Sequence, residues 1–150
     1  MAPPFDSGAA DGGESLAPGI LASMQAAACT RVFIVDDSPP IRERLIELLA
    51  GDAVTVVGEA ETPGDAIAGI RRTRPDCVVL DLKLIGGSGI EVLHSLRPEF
   101  PDTTFIVLSN HSDVPYRRSC EAAGASFFLD KTTEFGKIAS LIAGLPPVKT

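Results

Sequence analysis

The sequence predicts an α/β fold in which a parallel sheet is covered by helices on both faces. Three observations carry that expectation. From Arg31 onward, short apolar runs alternate with helical patterns five times. The runs are apolar throughout, as buried parallel strands are, instead of alternating like half-exposed ones. Four of them end in polar groups: Asp36 and Asp37, Asp81, Ser109, and Asp130 with Lys131.

The first strand is Arg31-Val32-Phe33-Ile34-Val35, bounded by the two acids. Pro39 just after Ser38 fits the first turn of a helix, where its missing N–H costs nothing. Ile41, Leu45, Leu48 and Leu49 then recur on one helical face until Gly51-Asp52. Val54–Gly58 is the second strand, and Thr62-Pro63-Gly64-Asp65 a capped helix start. That helix carries Ala66, Ile67 and Ile70 before Pro75. Cys77–Leu80 is the third strand, ending at Asp81. Beyond the Gly86-Gly87 loop, Ser88-Gly89-Ile90-Glu91 is a second capping box, followed by Ile90, Leu93 and Leu96 as a buried stripe that Pro98 closes. Thr104–Leu108 is the fourth strand, and Ser112 caps a fourth helix that finishes at Gly124. Ser126–Leu129 is the fifth strand; Phe135, Ile138, Leu141 and Ile142 mark the last helix before Pro146-Pro147. Right-handed crossovers then give a flavodoxin-like doubly wound sandwich, with strand order 2-1-3-4-5 and five helices.

The 150 residues suffice for one ordinary domain and a short extension. The expected division is a flexible or disordered extension over 1–29, a domain over 30–145 and a tail over 146–150. The first 28 residues are rich in Gly, Pro and Ala and poor in bulky apolar groups. They carry no basic residue, and Pro18-Gly19 interrupts any apolar region, so an export signal is rejected. A net charge of −7 argues against a nucleic-acid-binding face, which needs clustered Lys and Arg. No apolar run reaches transmembrane length. Cys29, Cys77 and Cys120 are odd in number and widely spaced, which fits a reducing cytoplasm better than a disulfide framework.

The strand-end residues converge on the carboxyl edge of the sheet, where open α/β folds bind ligands. Two carboxylates about 4 Å apart repel by about 4 kcal/mol at an effective dielectric near 20, so the site calls for a cation. Several carboxylate oxygens suit a hard divalent ion that keeps some of its waters, as Mg²⁺ does. Three acids and one lysine sum to a double negative charge that one Mg²⁺ neutralises. Such a site can accept a dianionic phosphoryl group, with one carboxylate as nucleophile.

Asp36-Asp37, Asp81, Ser109 and Lys131, each after its strand, resemble the receiver domain of bacterial two-component response regulators over about Arg31 to Gly144. Gly124-Ala125 and Phe128-Leu129-Asp130-Lys131 are most similar to receivers that precede a helix-turn-helix output domain, the NarL/LuxR-like group. The resemblance implies that Asp81 is the phosphoacceptor and that a histidine kinase or histidine phosphotransfer protein is the donor. It implies a Mg²⁺ site made by Asp36, Asp37, Asp81 and the backbone carbonyl of Lys83. Ser109 and Lys131 would bind the phosphoryl group, and Phe128 falls at the family's rotating aromatic position, core packing being its alternative.

Departures from the family pattern are also visible. The chain stops at Thr150 with no output domain, which suggests a stand-alone receiver acting on an unknown downstream protein. Thr132 replaces a frequent proline, so no cis peptide is expected there. Ile85 replaces another proline, and Gly86-Gly87 should loosen that loop. Asn110 is bulkier than the usual small residue, and Phe128 lacks the tyrosine hydroxyl often found there. Lys83, Asn110 and His111 flank the phosphoryl position as modulators of its lifetime, or stand as solvated loop side chains.

The function expected is a cytoplasmic phosphorylation switch acting through the fourth helix, fifth strand and fifth helix, with a phosphorylation-dependent homodimer left open. Its only chemistry would be self-catalysed phosphotransfer and autodephosphorylation. A phosphorelay intermediate or phosphate sink is the alternative. A haloacid-dehalogenase-like phosphatase is remoter, since that family sets two acids two apart on strand one.

Overall fold

The computed structural model describes residues 29–50, 53–110 and 114–145. In chain order these form β1 (Thr30–Val35), α1 (Pro39–Leu49), β2 (Val54–Ala60), α2 (Pro63–Thr73), β3 (Cys77–Leu80), α3 (Gly89–Leu96), β4 (Thr104–Ser109), α4 (Val114–Ala123), β5 (Phe127–Asp130) and α5 (Ile138–Ala143). A two-residue antiparallel ribbon, Lys83–Leu84 with Gly87–Ser88, lies between β3 and α3. A 3₁₀ turn, Phe135–Lys137, leads into α5. The five long strands pair in parallel in the order β2-β1-β3-β4-β5, the arrangement the sequence predicts.

Strand pleating sends successive side chains to opposite faces, and both faces are apolar. Val32, Ile34, Cys77, Val79, Ile106, Leu108 and Leu129 pack with Leu45 and Leu49 of α1 and Ile138 and Ile142 of α5. Phe33, Val35, Val78, Leu80, Phe105 and Val107 pack with Ala66 and Ile70 of α2, Val92, Leu93 and Leu96 of α3, and Cys120 and Ala123 of α4. Phe33 requires glycine on two neighbours: a Cβ at Gly58 of β2 or Gly69 of α2 would overlap its ring.

The helix starts follow their sequence signals. Ser38 caps α1 with Pro39 in the first turn, and the Thr62 hydroxyl accepts the Asp65 N–H at 3.1 Å. Ser88 and Glu91 close a reciprocal capping box on α3. The Gly86-Gly87 expectation needs correction. Gly86, at φ +80, makes a tight turn within the ribbon instead of loosening it. The Ile85 N–H ties that ribbon to the Glu61 carbonyl at 3.1 Å. The ends expected at Gly51-Asp52 and Pro146-Pro147, the Ser112 cap, the first 28 residues and His111 lie outside the described residues.

Candidate functional site

The site is built by sheet hydrogen bonds that run one step past the strands. The Asp36 N–H donates to the Ala60 carbonyl at 3.0 Å, Asp81 N–H to Val35 at 2.8 Å, and Lys131 N–H to Ser109 at 2.9 Å. Each reactive side chain thus begins on backbone that the sheet holds. Behind Asp81 the backbone of α3 approaches closely, and a Cβ at Gly89 would collide with the Asp81 carbonyl.

Lys131 Nζ sits 2.7 Å from Asp36 Oδ2 and 3.0 Å from Asp81 Oδ2, with all three side chains largely buried. The remaining carboxylate oxygens are also engaged. Asp36 Oδ1 accepts the Ser38 N–H and Asp81 Oδ1 accepts the Leu82 N–H, both at 2.8 Å. Asp37 is half-exposed and lines an open cleft of about 550 Å³ together with Ser38, Asp81, Lys83, Asn110 and Lys131. Arg44 stacks over Phe135 at 4.4 Å on the cleft's wall. Ser109 is fully buried at the end of β4, and Phe128 is half-buried on β5. Asp37, Asp81, Lys83, Asn110 and Lys131 thus share one cleft and Asp36 joins them through Lys131; Ser109 and Phe128 are not among the cleft's lining residues, and His111 lies outside the described residues.

Burial pushes the Asp81 carboxyl above its ordinary value; Lys131 pulls it down, while Asp36 adds to the rise. Burial also draws the Lys131 ammonium down, but hydrogen bonds and charges from Asp36 and Asp81 outweigh it, so its net shift is upward. Asp81 is thus raised chiefly by its burial, with Lys131 opposing and the neighbouring Asp36 adding to the rise. Asp36, Asp37 and Asp81 each offer an oxygen within 4.8 Å of the others. This oxygen-only donor set, opening on a cleft with room for waters, fits a hard divalent cation such as Mg²⁺.

Sequence reading missed two supports. Arg42 of α1 donates to the Asp36 carbonyl at 2.6 Å while pairing with Glu59 and Glu61, each at 2.9 Å. Its signal was only one of two arginines, Arg42 and Arg44, on α1. Asp130 and Glu134 fold the turn that carries Lys131, and the visible signal was an acid pair flanking Lys131-Thr132-Thr133.

Comparison with known proteins agrees with this geometry. Residues 32–143 match the response regulator receiver domain. The chain is 34% identical over 113 residues to the DNA-binding transcriptional activator DevR/DosR of Mycobacterium tuberculosis, covering 75% of this chain and 52% of that protein. It spans about half the length of the curated relatives it matches. A LuxR-family two-component response regulator from Aurantimonas sp. SI85-9A1 superposes with a TM-score of 0.68 at 31% identity, covering 77% of this chain and 86% of that one. The CheX-CheY-BeF3-Mg+2 complex from Borrelia burgdorferi shares the fold, with a TM-score of 0.66 at 20% identity, covering 75% of this chain and 88% of that one. The chain belongs to the response regulator receiver domain family of two-component systems.

Proposed function

We propose that Asp81 accepts a phosphoryl group from a phosphohistidine of a kinase or phosphotransfer protein. The observation that carries this reading is the Lys131 ammonium bridging Asp36 and Asp81, beside an open cleft that Asp37, Asp81 and Lys131 line. An Asp81 oxygen attacks phosphorus as the histidine N–P bond breaks; the bonding pair returns to the imidazole nitrogen, which takes a proton. Asp36, Asp37, Asp81 and the Lys83 carbonyl would hold Mg²⁺, which when bound would supply positive charge to the phosphoryl oxygens. Lys131 holds Asp81 oriented before transfer and pairs with the phosphoryl group after it. Hydrolysis later forms a bond from water to phosphorus and frees the Asp81 carboxylate and inorganic phosphate.

The chain then works as a switch. The buried Ser109 hydroxyl moves toward the new phosphoryl group, Phe128 follows, and the face made by α4, β5 and α5 changes its affinity for a partner protein. Moving such an equilibrium from 1:99 to 99:1 needs about 5.5 kcal/mol of differential stabilisation. Charge-assisted bonds to Ser109, Lys131 and Mg²⁺ are of the strength to supply much of it. Incubation with acetyl phosphate and Mg²⁺, read on a phosphate-affinity gel, should shift the wild type and leave Asp81→Asn unshifted. Equal shifts in both would refute the assignment.

A further inference from the structure

Among the described residues β5 is the last strand of the sheet, so one row of its backbone N–H and C=O groups has no neighbouring strand there. Two side chains cover that row. Arg117 of α4 reaches the Phe128 carbonyl at 3.4 Å and lays its guanidinium 4.6 Å over the Phe128 ring. Glu134 Oε1 accepts the Asp130 N–H at 2.9 Å, and the Glu134 N–H returns a bond to the Asp130 carbonyl at 2.8 Å. The two side chains approach each other at 3.6 Å, and Lys137 pairs with Glu134 at 3.2 Å. Inside the turn, Asp130 Oδ1 accepts the N–H groups of Thr132 at 2.8 Å and Thr133 at 3.1 Å. Lys131 is the first residue of this turn, with its own N–H on Ser109. The turn is held by these side-chain bonds together with the Glu134 N–H to Asp130 carbonyl bond.

We propose that Glu134 is the positioning residue for Lys131. Its carboxylate closes the edge of β5 at Asp130, aims the lysine at Asp36 and Asp81, and joins that turn to α4 through Arg117. The inference rests on Asp81 as phosphoacceptor, with Lys131 working beside it. Glutamine at 134 keeps an oxygen for the Asp130 N–H, whereas alanine removes it and a water can enter.

The test compares the full chain with Glu134→Ala, Glu134→Gln and Lys137→Ala. It reads the rate of phosphorylation by acetyl phosphate with Mg²⁺ and the NMR signal of the Lys131 ammonium without metal. Glu134→Ala should slow phosphorylation by about tenfold, within the hundredfold that a ~1 Å misplacement of a reacting group can cost. It should also move the Lys131 signal, while Glu134→Gln and Lys137→Ala stay near wild type in both. Should Glu134→Ala not fold, Glu134→Asp, one methylene too short to reach Asp130, is expected to show the same slowing. The proposal fails if the alanine rate is within about twofold of wild type. It fails equally if the rate falls with an unmoved Lys131 signal, or if glutamine is as slow as alanine. A wild type that takes no phosphoryl group would count against Asp81 as acceptor; the Lys131 signal would still decide the role of Glu134.

Discussion

Lys131 faces two buried carboxylates and cannot be removed cheaply. Deleting one member of a buried ionic cluster leaves uncompensated charge, typically at about 3–5 kcal/mol. Lys131→Met should therefore lower stability in urea by about that amount when a chelator is present. Part of the loss should return with Mg²⁺, because a cation can take over the balance of Asp36 and Asp81. Glu134 gives a milder, pH-dependent signature. Its carboxyl is held below its ordinary value, first by the Asp130 N–H and then by Lys137. A lowered carboxyl pKa stabilises above the unfolded value and loses that contribution as pH falls through the folded one. The wild type should thus exceed Glu134→Gln in thermal midpoint at pH 7, and the gap should close as pH drops below the ordinary carboxylate range. A constant gap would remove the ionic contribution. The five principal site residues were legible because each is a chemically distinct group just past an apolar run. Arg42, Arg117 and Glu134 were not, because each also binds a backbone atom, the Asp36 and Phe128 carbonyls and the Asp130 N–H, that no side-chain pattern in the sequence announces.

Helix starts could be read in the sequence where a side chain closes them locally. The Ser88–Glu91 box on α3 and the Ser38-Pro39 start of α1 are of this kind. Ser88→Ala should cost about 1 kcal/mol, measured by chemical unfolding, since two N–H groups lose their partners. The ribbon at Lys83–Ser88 was missed because two glycines read equally as a loose loop or a tight turn, and only the tie from Ile85 to Glu61 decides between them. The entry to α5 as a 3₁₀ turn was missed for a related reason, as Phe135 keeps helical spacing with Ile138 in either geometry. Packing also sets cysteine chemistry. Burial pushes the Cys77 thiol up to about 12 and Cys120 to about 11, so both stay protonated at neutral pH. Cys29, half-buried near Thr55, should react first with a thiol reagent, and the other two only on unfolding. Equal rates in the native protein would contradict this burial pattern.

At the scale of the molecule, topology makes the site. Parallel strands with right-handed crossovers place the carboxyl ends of β1, β3, β4 and β5 on one edge, so residues distant in sequence become neighbours. Asp36 and Asp37 are adjacent in sequence, yet it is Asp81 that follows the middle strand of the sheet, where Lys131 bridges it to Asp36. None of the described helices is long and apolar enough to cross a membrane. A cation that binds only the folded site should raise the thermal midpoint, and Mg²⁺ titration should show this in the wild type and much less in Asp37→Asn. The most direct measurement of the central claim is reduction of the acetyl-phosphate-treated protein with borohydride, which converts an acyl phosphate to homoserine, followed by peptide mass mapping. The expected result is homoserine at position 81 alone. Homoserine at position 36 or 37, or at none of the three, would contradict it.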